Sequence, residues 1–225
     1  MNTPILTPIP ALRTGPLARL ALLAALALMA LLAVSPSAAR ADTAPDEMIR
    51  TLSNQILERI RQDQDLQSGD LQKVSAFVDE SVMPHVNFER MTALAVGRSW
   101  RQATPEQQRQ LKAEFRALLL RTYAGAISIV KDQQVRMKPL RAAPGDTEVV
   151  VRSEIVQARG EPIQLDYRLE KSNGNWRIYD LNVLGVWLVE TYRNQFAQEI
   201  NARGIDGLIR SLSERNQAFS AGRTS

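Results

Sequence analysis

At Gln133 the hydrophobic rhythm of the chain changes from one apolar residue every three or four positions to one every two. Two rhythms in one chain mean two kinds of layer. Before the change, Leu111, Phe115, Leu118, Leu119, Thr122, Tyr123, Ala126, Ile127 and Val130 form one stripe of a long helix. After it, Val135 and Met137 alternate with polar neighbours, and Thr147 to Val156 reads as a strand with Val149, Val151 and Ile155 on one side. Ile163, Leu165, Tyr167 and Leu169 face one way while Gln164, Asp166, Arg168 and Glu170 face the other. Gly160-Glu-Pro and Ser172-Asn-Gly-Asn turn the chain, and a strand from Trp176 follows. The pattern predicts an α+β fold: a twisted antiparallel sheet of four to five strands, with its apolar side covered by the long helix.

Helices flank this meander. Ile49, Leu52, Ile56 and Ile60 lie on one face of a helix over 46–62, and Leu71, Val74, Phe77 and Val78 start another stripe after the break at Ser68-Gly-Asp. Pro84 ends that segment or opens the next short one. Asn87 is placed to cap a helix holding Phe88, Met91 and Leu94, with Gly97 at its end. Thr104-Pro-Glu-Gln107 is a capping box with proline in the first turn. Two more helices are predicted from Val186 to about Arg203 and from Ile205 to about Arg215.

The first 41 residues read as a cleaved signal peptide. Arg13 and Arg19 precede an apolar run from Leu20 to Val34, and Ala39-Arg40-Ala41 supplies a small-x-small cleavage site. The run is short for a bilayer span, which needs about 20 residues. The expected product is one domain over 42–225. Without Arg13, Arg19 and Arg40 it has 25 basic against 24 acidic residues, so its charge makes no case for nucleic acid. It has no cysteine, hence neither disulfide nor thiolate metal site.

Reactive centres are hard to find. His85 is the sole histidine, beside a proline at a helix boundary, and cannot build a His-rich metal site. Ser128-Ile-Val-Lys131 has the Ser-x-x-Lys spacing of serine acylases but lacks the companion Ser-Asp-Asn and Lys-Thr-Gly elements. Asp180 shares the parity of Trp176 and Ile178, so a proton-shuttling enzyme using Asp180 with Tyr167 is one reading; a hydrogen bond from Asp180 to a neighbouring loop is the plainer one. Asp166 is expected in water. No metal, no cofactor and no catalytic residue is predicted. The apolar faces instead suggest a hollow walled by Val135, Met137, Val149, Val151, Leu165, Tyr167, Leu169 and Ile178 on the sheet. Phe88, Met91, Leu118, Leu119, Tyr123 and Ile127 would wall it on the helices.

Particular words of the sequence carry a resemblance. Gly97-Arg-Ser-Trp-Arg-Gln-Ala-Thr-Pro-Glu-Gln, Tyr123-Ala-Gly, Asn175-Trp-Arg-Ile-Tyr-Asp-Leu, Gly185-Val, Tyr192-Arg-Asn-Gln-Phe and Gly204-Ile-Asp-Gly-Leu-Ile together resemble the MlaC, or toluene-tolerance auxiliary, family. The similarity runs from about Ile49 to Leu212. It implies a cone related to the nuclear-transport-factor-like fold and a periplasmic phospholipid carrier, monomeric and not an enzyme. It also implies partners: an inner-membrane MlaD-type complex and an outer-membrane MlaA-type lipoprotein. The family's role is to keep outer-membrane lipid asymmetry. Alternatives left open are a small-molecule enzyme on the same cone or a periplasmic interaction module with a filled core. Trp187 departs from the family, whose members often have a small serine after the Gly-Val; it either reshapes the mouth of the hollow or packs on the surface. Lys131, Arg136, Lys138 and Arg141 form a basic cluster that either docks acidic partners or is a solvated face. No arginine cluster in the sequence points to tight phosphate binding, so a lipid head group is expected in water at the entrance.

Overall fold

The computed structural model describes residues 43–127, 130–158 and 160–221. The expected signal peptide and Ser128 lie outside the described residues. Helix α1 (Pro45–Gln62) starts with proline in its first turn, carries Asp46 and Glu47 at its positive end, and has Arg59 and Arg61 at its negative end. Asp63 ends α1 and caps the short α2 (Gln64–Gln67), its Oδ1 accepting from the N–H groups of Asp65 and Leu66. Asp70 caps α3 (Leu71–Phe77) in the same way. The chain then widens into a π turn, Val78–Val82, and tightens into a 3-10 turn, Met83–His85, that opens around Pro84.

Asn87 caps α4 (Phe88–Val96) by accepting from the Arg90 N–H at 3.0 Å. The capping box of Thr104 and Gln107 is formed, and α5 (Pro105–Tyr123) follows. The apolar stripe runs on beyond this helix, but the backbone tightens to a 3-10 turn at Ala124–Ala126. Strands β1 (Gln134–Met137), β2 (Glu148–Val156), β3 (Ile163–Ser172), β4 (Asn175–Val183) and β5 (Val186–Trp187) form one antiparallel meander in chain order. Asn173 and Gly174 both have positive φ, as the tight turn between β3 and β4 requires. Helix α6 (Leu188–Ala221) is broken at Gly204, whose φ of 70° and ψ of −175° lie in a region essentially reserved for glycine. The two helices expected at the C-terminus are therefore the arms 188–203 and 205–221.

One expectation about the layers needs correcting. The sheet is covered by α1, not by the long helix: Ile49 and Leu52 pack on Val149, Val151, Tyr167, Leu169 and Ile178 in one core. Helix α5 sends Leu111, Phe115 and Leu118 into a second core with α4 and both arms of α6, where Tyr192, Phe196, Leu208 and Leu212 meet them. Phe115 sits at the centre, its ring 4.9 Å from Tyr192 and 5.2 Å from Phe196 in edge-to-face contacts. The two stripes look alike as sequences. What separates them is α5's many helical partners. Helix α1 seals the Val149, Val151 and Leu169 end of the sheet's apolar face and leaves the Leu165 and Leu181 end open.

Candidate binding cavity

At that open end lies a cavity of about 370 Å³. Leu165, Tyr167, Ile178 and Leu181 wall it from β3 and β4, and Leu52, Ser53 and Ile56 from α1. Val74, Val78, Val82 and Met83 close one side, while Phe88, Met91, Leu119, Leu120, Tyr123 and Ile127 close another. Arg116 borders it, but its guanidinium turns away, donating to Ser75 Oγ at 3.1 Å and Asp79 at 2.5 Å. The buried Tyr167 hydroxyl is satisfied by Ser53 and Ser153, and burial holds this phenol above its ordinary range, so it stays neutral. Ser153 Oγ in turn donates to the Leu165 carbonyl at 2.7 Å. Apart from the averted Arg116, the described lining has no charged group. Such a wall attracts hydrocarbon by burial and shape.

Eight of the fourteen residues named from the sequence line this cavity: Phe88, Met91, Leu119, Tyr123, Ile127, Leu165, Tyr167 and Ile178. Six do not. Val149, Val151 and Leu169 are filled core beneath Ile49 and Leu52. Met137 packs at the margin of that core, and Val135 is half-buried on the edge strand β1. Leu118 belongs to the helical core and borders a second hollow. The α1 and α3 contributions were missed although their stripes were visible in the sequence, because a stripe shows that a face is buried and not what it faces. The second hollow, a groove of about 760 Å³, runs between the end of α5 and both arms of α6 and shares Tyr123 and Leu188 with the cavity.

The other face of the sheet is polar. The β3–β4 register runs from Arg168 opposite Asp180 to Leu169 opposite Ile178, so Tyr179 is an extra residue in β4. That bulge puts Asp180 outside, against the parity read from Trp176 and Ile178, and separates it from Tyr167 by the thickness of the sheet. The proposed acid and phenol of an enzyme site thus lie on opposite faces. Asp180 is fully buried nonetheless: its Oδ1 accepts from the Val189 N–H at 3.0 Å and the Leu181 N–H at 2.9 Å, and Arg168 donates to its Oδ2 at 2.8 Å. It therefore ties β4 to the first turn of α6. Trp187 lies under the Arg168 guanidinium, 3.9 Å away, and does not line the cavity.

Asp166, expected in water, is buried: Arg152 and Asn182 stand opposite it, and Gln164 Nε2 donates to its Oδ2 at 2.6 Å. In the basic cluster, Arg136 and Lys138 both pair with Glu154. His85 is half-buried and does not line the cavity. Among the described residues, no group of three or more His, Cys, Asp or Glu is placed to hold a metal.

Burial pushes the Asp180 carboxyl above the usual carboxylate range, against the opposing pull of the Val189 and Leu181 N–H groups and of Arg168. With a raised folded value, the native state holds a proton that the unfolded chain has released. This group's contribution to stability is then greatest at acid pH and fades as pH rises through the folded value. Asp180→Asn should keep the accepting oxygen and flatten that slope. Asp180→Ala should cost about 1–3 kcal/mol, because it leaves the Val189 N–H buried without an acceptor. Urea unfolding from acid to neutral pH checks both; equal slopes in wild type and the Asn variant would refute the first.

Helices wrapped on one face of a twisted sheet, with an apolar hollow between the layers, define a class of α+β proteins that enclose a guest-sized space. The family profile described as MlaC protein matches residues 50–214, and the chain belongs to the MlaC family. It is 25% identical over 179 residues to the intermembrane phospholipid transport system binding protein MlaC of Haemophilus influenzae, covering 78% of this chain and 84% of that one. It is 27% identical over 124 residues to the toluene tolerance protein ttg2D of Pseudomonas putida, covering 52% and 57%. Among solved structures, the phospholipid-binding protein from Ralstonia solanacearum, in complex with a phospholipid, is 49% identical with a TM-score of 0.76. That match covers 80% of this chain and 99% of the other.

Proposed function

We propose that the chain is a periplasmic carrier that holds a glycerophospholipid in its cavity and moves it between the outer and inner membranes, so maintaining lipid asymmetry of the outer membrane. It acts as a monomer, without cofactor or metal and without catalysis. Its partners are an MlaD-type inner-membrane complex and an MlaA-type outer-membrane lipoprotein. The observation that carries this reading is the apolar cavity, in a chain 49% identical to a protein solved with a phospholipid. No described helix is long and apolar enough to cross a membrane.

The energetics explain why such a carrier is needed. A diacyl lipid has roughly 30 methylenes, each worth about 0.8 kcal/mol when hidden from water. Unaided passage through water is thus opposed by roughly 20 kcal/mol. A wall of aliphatic side chains removes most of that barrier without demanding one chain length. The cavity lies toward the small end of ligand pockets, about 300–1,000 Å³.

Purifying the protein from cells and extracting it with organic solvent tests the proposal. An equimolar yield of phospholipid is expected. A dry protein that takes up no lipid from vesicles would favour the interaction module instead, and a turnover abolished by Asp180→Asn would favour the enzyme.

A further inference from the structure

One side of the cavity is built differently from the rest. Most of the wall stands on strands and α-helices, but Val78, Val82, Met83 and Val86 come from the π turn, the 3-10 turn and the residue that follows. No residue from Val78 to His85 is fully buried. A segment with so little buried surface opens at lower cost than the packed helices around it.

Polar contacts hold this segment at both ends. At its start, Arg116 of α5 donates to Ser75 Oγ and Asp79. At its end, the chain crosses the edge of β4 that the two-residue β5 leaves uncovered: Val86 bridges Ile178, and the Asn87 N–H donates to the Ile178 carbonyl at 2.8 Å. Arg90, in the first turn of α4, reaches round to the polar face of the sheet. It donates to Glu170 of β3 and, at 2.6 Å, to Glu148 of β2, with its guanidinium 3.8 Å from the centre of the Tyr179 ring. Asn87 Nδ2 donates to Glu170 at 2.5 Å, and the Tyr179 hydroxyl donates to Glu148 at 3.1 Å. Glu148 and Glu170 are direct partners in the β2–β3 register, where like charges repel. Arg90 is the cation that bridges them, so the two acids sit easily only while the clasp is closed. Phe88 and Met91, from the same helix, line the cavity, whereas Arg90 does not.

We propose that Val78–Asn87 is the movable wall through which the lipid passes, and that Arg90 is the positioning residue that latches it shut by clasping Glu148 and Glu170. Release of the clasp frees the Val86–Asn87 end from β4, and the segment swings out about the π turn that Arg116 keeps anchored. This rests on the phospholipid reading.

Protein purified from cells and loaded with deuterated dioleoylphosphatidylglycerol is chased with excess vesicles of the undeuterated lipid, and native mass spectrometry follows the exchange. Arg90→Met should speed exchange at least about tenfold over wild type, through loss of charge-assisted hydrogen bonds to two carboxylates. Arg90→Lys, which keeps the charge without the fork, should fall between them. The chain has no cysteine, so Val86→Cys with Ile178→Cys introduces a single pair of thiols. Neighbouring strands lie about 4.8 Å apart, within the span a disulfide bridges. Added to Arg90→Met, this pair should give slow exchange when oxidised and fast exchange when reduced. Phe115→Ala lies outside both cavity and clasp; it should weaken the fold yet exchange at the wild-type rate, which separates a latch from general destabilisation. Glu170→Gln should speed exchange about threefold and carries the test if Arg90→Met does not fold.

An unchanged rate in Arg90→Met and Glu170→Gln overturns the latch and leaves the carrier reading intact. So does equal exchange by the oxidised and reduced triple variant, or an acceleration by Phe115→Ala as large as that by Arg90→Met. A wild type that takes up no lipid overturns the carrier reading itself.

Discussion

Leu165→Arg is expected to leave the purified protein with little or no copurifying phospholipid. Leu165 stands at the open end of the sheet's apolar face and lines the cavity from β3. A guanidinium introduced there has no partner among the aliphatic wall. It must either draw water into the hollow or lie across the path of the acyl chains, and both remove the reason for hydrocarbon to enter. The same outcome is expected for Leu119→Arg on the facing helix, which lines the same space. Leu94→Arg is the control: Leu94 is exposed and outside the cavity lining, so this variant should keep its lipid. Lipid per folded protein, measured after solvent extraction, decides the matter. Both cavity variants will also melt lower than wild type, which is why occupancy is normalised to folded protein. Full occupancy in both would mean that the guest lies elsewhere.

Phe115→Ala should produce the largest loss of stability of any single truncation considered. Phe115 is wholly buried at the meeting point of α4, α5 and both arms of α6, and touches three aromatic rings, including Phe88 at 5.7 Å. Truncating a buried phenylalanine typically costs about 3–5 kcal/mol, partly as lost burial and partly as the hole left behind. Domains as a rule have only about 5–15 kcal/mol in total. Because Phe115 does not line the cavity, the molecules that remain folded should retain lipid, unlike those of the arginine variants. Urea unfolding measures the loss. A cost below about 1 kcal/mol would mean that the neighbouring rings close the gap, which three packed helices make difficult.

Local structure is legible in the sequence where chemistry acts over a few residues. The Asn87 cap, the Thr104–Gln107 capping box, the Asn173-Gly174 turn and the helical break at Gly204 each involve neighbours in the chain, and each is formed. The α+β plan and an antiparallel meander of four to five strands follow from periodicity and are present, but the fifth strand, Val186–Trp187, occupies residues whose pattern reads as the start of a helix. Relations between distant elements were not legible. The stripe Ile49, Leu52, Ile56 announced a buried face without naming the sheet as what it covers, so Val149, Val151 and Leu169 were assigned to the hollow when α1 in fact fills the space over them. Arg90 carries no local sign that it meets Glu148 and Glu170. Asp166 was expected in water because alternation tells which face a side chain takes, but not how thickly Gln164, Arg152 and Asn182 crowd that face.

The supernumerary Tyr179 works as a phase slip in its strand. Ahead of it even-numbered side chains point toward oil; beyond it the odd-numbered Leu181 does. Pairing β4 without the bulge, every residue kept, would make everything downstream trade places, delivering Asp180 and Asn182 among the aliphatic side chains and turning Leu181 and Val183 out to water. The dryness of the interior thus hangs on how one surplus residue is tucked into a single strand as much as on how greasy its residues are.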